Sequence, residues 1–598
     1  LGSQQSIYFE VDGKMPAGGN VLVLAWSDSQ KRMVDEFAHV QMGEPWRIYP
    51  SRMNMLPPGR VNLQLLLRVP GQDTVKVTRW IEMVSPQNGG NPGNGGDPGD
   101  GGTTEPGDGG DPSDPGDGGD PSDPGDGGDP SDPGDGGDPS DPGDGGSNPS
   151  IGWTPLSKSS DTRVIYVSSS QGDDDNDGLT ENRPVRTLAK AYSLLRSGSP
   201  DWMLLKRGDT FDGGFPQWTK SGRSQDAPMV ISTYGSGPRP LVRAGDAVPL
   251  RKKGNVANLW VIGVAIDGRG ASSCMQFRGG FQNILLEDCY FANAKDNLEF
   301  QPVSDSDVTR DLSIRRCVIA DARSTGSAHS QGAFIKDVEG LLIEECLFDH
   351  NGWSESVSSA EPTMFNHNIY LKECRDVVIR GNVLARGSSF GLKISSDRTG
   401  GMVNVLVEDN LFLGDANGIT VGRSGRYADY ATKNLTFRRN VFTELGRTLN
   451  GQPQAFGVHI TSADGGVIER NYFIYKDYPA PHAALELDGD RPQRNIAVRN
   501  NVVYQWRVNN DGNPWRVTGS RFSNVTNSGN LIEPKASQLV DADRNVDRYA
   551  ASQGGQANWE AFLTQARQQR RGNWRDGYTA KAVVDYIRSG FSLVPSFD

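Results

Sequence analysis

The chain has 598 residues, 35% of them hydrophobic, with 74 Gly, 36 Pro and a net charge of −13 at neutral pH. That length exceeds one ordinary core and calls for two or more domains, while no run approaches the roughly 18 apolar residues of a membrane helix. The acidity is local: residues 87–150 hold fifteen Asp and one Glu with no Lys or Arg, which leaves the remainder at +3. The folded parts are therefore near neutral, which excludes the broad basic footprint of a nucleic-acid partner but leaves room for a basic groove around an acidic ligand.

Residues 1–86 open on "LGSQQSIYFEV" and continue as short alternating runs such as "NVLVLAWS", "VNLQLLLRV" and "KVTRWIEMV" between Gly, Pro and Asp turns. This pattern predicts a small β-sandwich of the immunoglobulin-like type. The opening lacks a charged and then apolar leader, which fits either a cytosolic protein or an exported one already processed. Residues 87–150 then repeat "GGDPSDPGD" four times between Gly109 and Asp144. Gly and Pro oppose helix and ladder and the Asp residues repel one another, so a solvated, disordered spacer is expected. Such spacers join modules of exported and surface proteins, which points to a secreted or cell-surface location.

Residues 151–598 form the main domain. Its first stretch holds "GDDDNDG", with Asp173, Asp175 and Asp177 at alternate positions before Gly178. This is the first half of a calcium loop, although the twelfth position is Pro184 rather than Glu; it reads either as a structural Ca²⁺ site or as a solvated turn.

From residue 281 onward one template recurs: "ILLEDCYF", "LSIRRCVI", "LLIEECLF", "VVIRGNVL", "VLVEDNLF", "LTFRRNVF", "GVIERNYF" and "IAVRNNVV". Its sixth position is Cys289, Cys317, Cys346, Asn382, Asn410, Asn440, Asn471 and Asn501, at gaps of 28, 29, 36, 28, 30, 31 and 30 residues. A strand-rich period of this size is the signature of a solenoid. Parallel coils stacked at about 4.8 Å would align each sixth residue with its counterparts above and below. Inward amides can then satisfy one another along the stack, and the thiols read as small buried hydrophobes rather than metal ligands.

Each coil also carries a second strand: "CMQFR", "NLEFQ", "GAFIK", "NIYLK", "GLKIS", "GITVG", "GVHIT" and "ALELD". Because strand side chains alternate, the second and fourth positions should fill the interior. The third faces out, giving a column of Gln276, Glu299, Phe334, Tyr370, Lys393, Thr420, His459 and Glu486. Lys336 and Lys372 lie two residues along, and Arg423 follows Gly422. The middle of this face is basic and aromatic, with carboxylates towards both ends. Beside it the longest coil inserts "DHNGWSESVSSAEPTMFNH", which brings His350, Trp353, Glu355, Glu361 and His367 up to Tyr370. Long loops on a regular scaffold usually carry function.

The ladders, the entry strand and helix "RVIYVSSSQGDDDNDGLTENRPVRTLAKAYSLL" and the closing "NWEAFLTQARQQRRGNWRDGYTAKAVVDYIRSGF" together resemble the right-handed parallel β-helix proteins of the pectate-lyase-like superfamily, over roughly 160–590. The resemblance implies an all-β fold with an N-terminal cap helix and a C-terminal helical tail shielding the coil ends. It does not fix an activity, since that superfamily holds lyases, hydrolases, epimerases and adhesins.

The column suggests a polysaccharide lyase acting on an acidic, uronate-containing glycan. Elimination needs a base for the C5 proton, an acid for the leaving O4 and cations for the carboxylate. Lys393 is the expected base, its amine pushed down by Lys336 and Lys372, and Tyr370 the expected acid. Lys336, Lys372 and Arg423 would hold the substrate carboxylate, Trp353 and Glu299 would complete the binding set, and His367 or His459 is the alternative base. Three other readings stay open: a glycoside hydrolase using Glu486 with Asp488 or Asp490, a C5-epimerase, and a non-catalytic carbohydrate-binding or adhesive surface protein. The sequence leaves the oligomeric state open.

Overall fold

The computed structural model describes residues 152–591, except 326–328, 423–428, 431, 447–454, 481, 509–511, 535–538, 540 and 542, with backbone only for 477–480; before residue 152 it describes the backbone of six strands. The chain divides into two units, 1–149 and 150–598. In the first unit, Arg32–Phe37, Asn20–Ser27, Gly59–Arg68 and Val75–Met83 form an antiparallel four-stranded sheet, and Ile7–Phe9 pairs antiparallel with Trp46–Ile48.

The second unit is a parallel solenoid with sheets of thirteen, twelve and ten strands running its length. The repeat template dictates this geometry. Each residue just before a ladder position, Asp288, Arg316, Glu345, Gly381, Asp409, Arg439, Arg470 and Asn500, has positive φ. That left-handed step turns the chain and aims the next side chain inward. The Asn ladder then bonds coil to coil: Asn382 Nδ2 donates to Asn410 Oδ1 at 3.0 Å, Asn410 to Asn440 at 2.9 Å, Asn440 to Asn471 at 2.9 Å and Asn471 to Asn501 at 3.0 Å. It runs one coil further than expected, to Asn530 at 2.8 Å. The five cysteines are buried and free, and the Cys346 backbone N–H joins the thiol part to the amide part by donating to Asn382 Oδ1 at 2.8 Å.

The interior is filled as the alternation requires. Met275, Phe277, Leu298, Phe300, Ile369, Leu371, Leu392 and Ile394 are all fully buried in one continuous core. A second polar ladder lies inside it: Asn297 Nδ2 reaches Asn351 Oδ1 at 3.3 Å, Asn351 reaches Asn368 at 2.8 Å, and Asn368 reaches Asp415 Oδ1 at 2.9 Å. On the thirteen-stranded sheet a charge column alternates strictly through Glu287, Arg315, Glu344, Arg380, Glu408, Arg438, Glu469 and Arg499. Ion pairs close it at 3.2 Å for Arg315–Glu287, 3.0 Å for Arg315–Glu344 and 2.8 Å for Arg438–Glu408.

At the N-terminal end, helix α1 (Leu188–Leu194) buries Leu188 and Ala191, and its N-cap Thr187 accepts from the Lys190 N–H. The tail forms α2 (Val546–Ser552), α3 (Trp559–Ala566) and α4 (Ala580–Ser589). It was expected to shield the last coil. Instead Trp559, Phe562, Leu563, Val583, Val584 and Ile587 pack along the flank, on the outward residues Val318, Leu347, Val383, Leu411 and Val441 of the twelve-stranded sheet. The sequence explains this: those short strands are apolar on both faces, so their outer face needs a cover. Among the described residues no helix is long and apolar enough to cross a membrane.

Candidate active site

The outward column of the ten-stranded sheet forms in register. Gln276, Glu299, Phe334, Tyr370, Lys393, Thr420, His459 and Glu486 are successive Cα partners, and the series extends to Arg251 at one end and Arg516 at the other. Strands His367–Lys372 and Phe390–Ser395 carry the centre. Lys393 Nζ lies 4.8 Å from the Tyr370 ring centroid. The other side of Tyr370 meets Phe334 edge-on at 5.3 Å, and His367 meets it at 5.6 Å and 90°. The long loop adds Phe365, which is 48% exposed and stacks on His329 at 5.1 Å and 11°. Amine, phenol and imidazole thus share one coil step, with an exposed aromatic face at the rim.

Several expected roles change on this geometry. The lysines flanking Lys393 are neutralised within the chain: Lys336 Nζ lies 3.7 Å from Asp337 Oδ2, and Lys372 Nζ lies 2.6 Å from Asp397 Oδ2. Burial alone would lower the pKa of Lys372, but the hydrogen bond and charge of Asp397 raise it above the ordinary value. The premise that two unpaired lysines depress Lys393 therefore falls, as does the picture of three open carboxylate binders. His367 is fully buried; burial, then the charges of Lys393 and His329, hold its pKa well below the ordinary value. The Phe390 N–H points to its Nδ1 at 3.4 Å, so this neutral ring backs Tyr370 and is closed to solvent, which does not suit a base that must reach substrate.

His459 lies two coils from Lys393, about 10 Å along the axis, and stacks on Phe456 at 4.7 Å. Burial lowers its pKa, opposed by Glu486 and Asp488. It belongs to a separate group with His482, Glu486 and Arg516, whose Nη1 lies 3.0 Å from Glu486 Oε2. Glu299 is buried and receives hydrogen bonds from Ser273 Oγ at 2.9 Å and from Gln276 Nε2 and Gln301 Nε2 at 2.6 Å each. Burial opposes its ionisation, but these bonds and Arg278 hold its pKa below the ordinary value, and its oxygens are taken up within the scaffold. Trp353 Nε1 donates to the Arg386 carbonyl at 2.9 Å and its ring lies 4.2 Å from His350, so it roots the loop. Arg423 lies outside the described residues.

Asp173 and Asp177 each accept from a backbone N–H two residues on, Asp175 and Leu179, both at 3.1 Å. Among the described residues no three His, Cys, Asp or Glu side chains gather to hold a metal ion, so Asp173, Asp175 and Asp177 do not converge. Their neighbour Asp174 ties the loop to the start of α1, where it accepts from the backbone N–H groups of Arg186 at 2.8 Å and Thr187 at 2.9 Å.

One carboxylate pair was missed. Asp337 and Glu373 follow Lys336 and Lys372 at left-handed corners with φ of 52° and 59°, which swings them to the rim. Arg398 Nη2 lies 2.7 Å from Asp337 Oδ1 and 3.2 Å from Glu373 Oε2. Burial, then the charge of Glu373, raises the pKa of Asp337, while Lys336 and Arg398 oppose the shift. The signal was present in the pairs "KD" and "KE" at the end of two adjacent strands.

A family model described as a right handed beta helix region matches residues 255–442. Those residues lie within the parallel solenoid described above. Over 73 residues, 12% of this chain, the protein is 37% identical to lacto-N-biosidase of Bifidobacterium longum subsp. longum, and it spans 5% of that relative's length. Among solved structures it is similar to an alginate lyase from Paenibacillus sp. str. FPU-7, at 15% identity and a TM-score of 0.29, over 60% of this chain and 99% of that one.

Proposed function

We propose that this protein is a carbohydrate-active enzyme, and that it cleaves an acidic polysaccharide by β-elimination across the outer face of the ten-stranded sheet. The observation that carries the reading is the Tyr370–Lys393 step, with the amine 4.8 Å from the ring centroid of the phenol. Lys393 Nζ, once it has lost its own proton, takes the C5 proton. The C5–H electron pair forms the C4–C5 double bond, the C4–O4 bond breaks, and Tyr370 delivers its proton to O4. Arg398 and Lys372, each paired with carboxylates of the chain, would exchange those partners for the substrate carboxylate as its charge grows. Phe365 gives a sugar ring a flat apolar face. A glycan substrate also agrees with the name of the bifidobacterial relative.

A second reading, glycoside hydrolysis, is favoured by Asp337 and Glu373. A carboxyl raised by burial beside a carboxylate held by the same arginine resembles the acid and nucleophile of retaining glycosidases. It fits better than Glu486, which His482, His459 and Arg516 hold ionised against its burial.

Incubation with alginate, pectate and glycosaminoglycan polymers separates the readings. Elimination yields products with the ultraviolet absorbance of an unsaturated uronate, lost in Lys393→Ala and retained in Asp337→Asn. Hydrolysis yields new reducing ends without that absorbance, with the opposite pattern of loss. No new ends on any polymer, with binding retained, refutes the enzyme reading.

A further inference from the structure

The corner after strand Leu347–Asp349 places His350 at φ 61°, above Asp321 at 56° on the preceding coil and below Arg386 at 47° on the next. Left-handed corners throw these side chains off the solenoid, so they stack outside the core. His350 Nδ1 lies 2.9 Å from Asp321 Oδ1, and Nε2 lies 2.9 Å from Glu355 Oε2. Glu355 belongs to the loop 351–366, which continues through Phe365 into His367 beside Tyr370.

Other charged groups surround this contact. Arg567, at the end of α3, reaches Asp321 Oδ2 at 2.7 Å through Nη1 and Asp321 Oδ1 at 3.0 Å through Nη2. Arg567 also pairs with Asp349, which Arg386 Nη2 meets at 2.6 Å. Asp321 is held far below the ordinary carboxylate range: burial opposes this, but His350 and Arg567 outweigh it.

A neutral imidazole carries one N–H. If that hydrogen is on Nδ1 for Asp321, the Nε2 lone pair faces a carboxylate oxygen of Glu355 at 2.9 Å, which is repulsive. If it is on Nε2, Asp321 meets the lone pair instead. Nε2 is buried and its 2.9 Å contact with Glu355 is not aligned as a hydrogen bond, so it is an ion-pair contact that attracts only when the ring is cationic. Glu355 is the member able to leave, because its side chain is 68% exposed whereas Asp321 stays clamped by Arg567.

We propose that His350 is a positioning residue that acts as a proton-operated catch: the imidazolium draws Glu355 and the middle of loop 351–366 onto the solenoid, and the neutral ring releases them. Trp353 stays tied to the Arg386 carbonyl, and Thr363 to Ser388 Oγ at 2.7 Å, so release loosens the middle of the loop and leaves its ends in place. The consequence for catalysis rests on the enzymatic reading above; the catch itself does not.

The test is hydrogen–deuterium exchange on the full chain across the histidine range, about pH 5 to 8, corrected for intrinsic rates. Backbone exchange within 354–362 should rise up to about fivefold through one titration, as the ion pair to the partly exposed Glu355 is lost. Glu355→Gln should flatten that titration and leave the rest of the solenoid unchanged, since an amide can donate to the neutral ring. His350→Gln should flatten it too, and if that variant misfolds the exposed Glu355 position still decides. Exchange without a titration in the wild type, or the same titration in Glu355→Gln, overturns the catch. If a substrate polymer is found, KM should rise with pH in the wild type and not in Glu355→Gln, with kcat following the same profile in both; the exchange arm stands whether or not turnover is seen.

Discussion

Replacing Asn440 with alanine tests the bond network that joins the coils. Its Nδ2 donates to the Val407 carbonyl and to Asn471 Oδ1, each at 2.9 Å, and its Oδ1 accepts from the Asn410 backbone N–H at 3.1 Å and from Asn410 Nδ2 at 2.9 Å. Asn410 Nδ2 keeps a second acceptor, the Ile379 carbonyl at 2.9 Å, and Asn471 Oδ1 keeps the Asn440 backbone donor at 3.1 Å. The Asn410 N–H and one bond of the Val407 carbonyl are lost outright. A buried group left unsatisfied costs about 1–3 kcal/mol, and the vacated volume adds a cavity term. Asn440→Ala should therefore lose about 4 kcal/mol. Asn440→Cys should lose less, because a thiol occupies this position in earlier coils, where the Cys317 N–H points to Cys346 Sγ at 3.4 Å. Urea unfolding of the full chain, followed by circular dichroism, measures both. A loss below about 0.5 kcal/mol for alanine, or equal losses for the two variants, would refute the idea that the amide stack holds the coils.

Further outcomes follow from buried groups. Lys476 is fully buried, and burial, reinforced by Arg516, brings its pKa to about 7 against 10.5 when unfolded. The unfolded chain therefore binds more protons between these values, stability rises with pH across the window, and the group costs the fold about 4–5 kcal/mol near neutrality and below. Lys476→Met should be the more stable protein in urea at pH 7, with the difference shrinking towards the upper end of the window; an unchanged midpoint refutes this. Burial pushes the Cys374 thiol up to about 12, and all five thiols are buried, so an alkylating reagent at mildly alkaline pH should modify none of them natively and all of them in denaturant. Tyr370→Phe should lower kcat at least about a hundredfold, the usual scale of a general acid, with KM little changed; equal kcat refutes its role.

The repeats made the solenoid legible because a stacked coil forces one residue type per position. The Asn column, the interior pairs and the outward series from Gln276 to Glu486 are all read from spacing alone. Equally readable, and missed, is the alternation at the fourth template position, Glu287, Arg315, Glu344, Arg380, Glu408, Arg438, Glu469 and Arg499. The candidate site was legible only as a column. Reading outward positions every second residue passes over the left-handed corners, where Asp337, Glu373, His350 and Asp321 change the charge balance. Nor does spacing show that the tail turns back along the flank to bring Arg567 to Asp321 and Asp349.

Charge must be balanced along stacked coils. Like charges stacked at about 4.8 Å repel by about 3.5 kcal/mol at an effective dielectric of about 20. A solenoid must therefore alternate its charges or pair each with a neighbour. The thirteen-stranded sheet alternates. On the ten-stranded sheet Lys336 and Lys372 stand in register, and the chain supplies Asp337 and Asp397 to relieve them. The column neighbours of Lys393 are Tyr370 on one side and Thr420 on the other, a phenol and a hydroxyl, with Nζ 4.8 Å from the phenol ring centroid. A proton donor beside an amine in one outward column suits proton transfer. Tyr370→Glu removes the phenol and should fold like the wild type in urea but lose turnover. A variant that is clearly less stable, or that keeps turnover, would show that the step is ordinary scaffold.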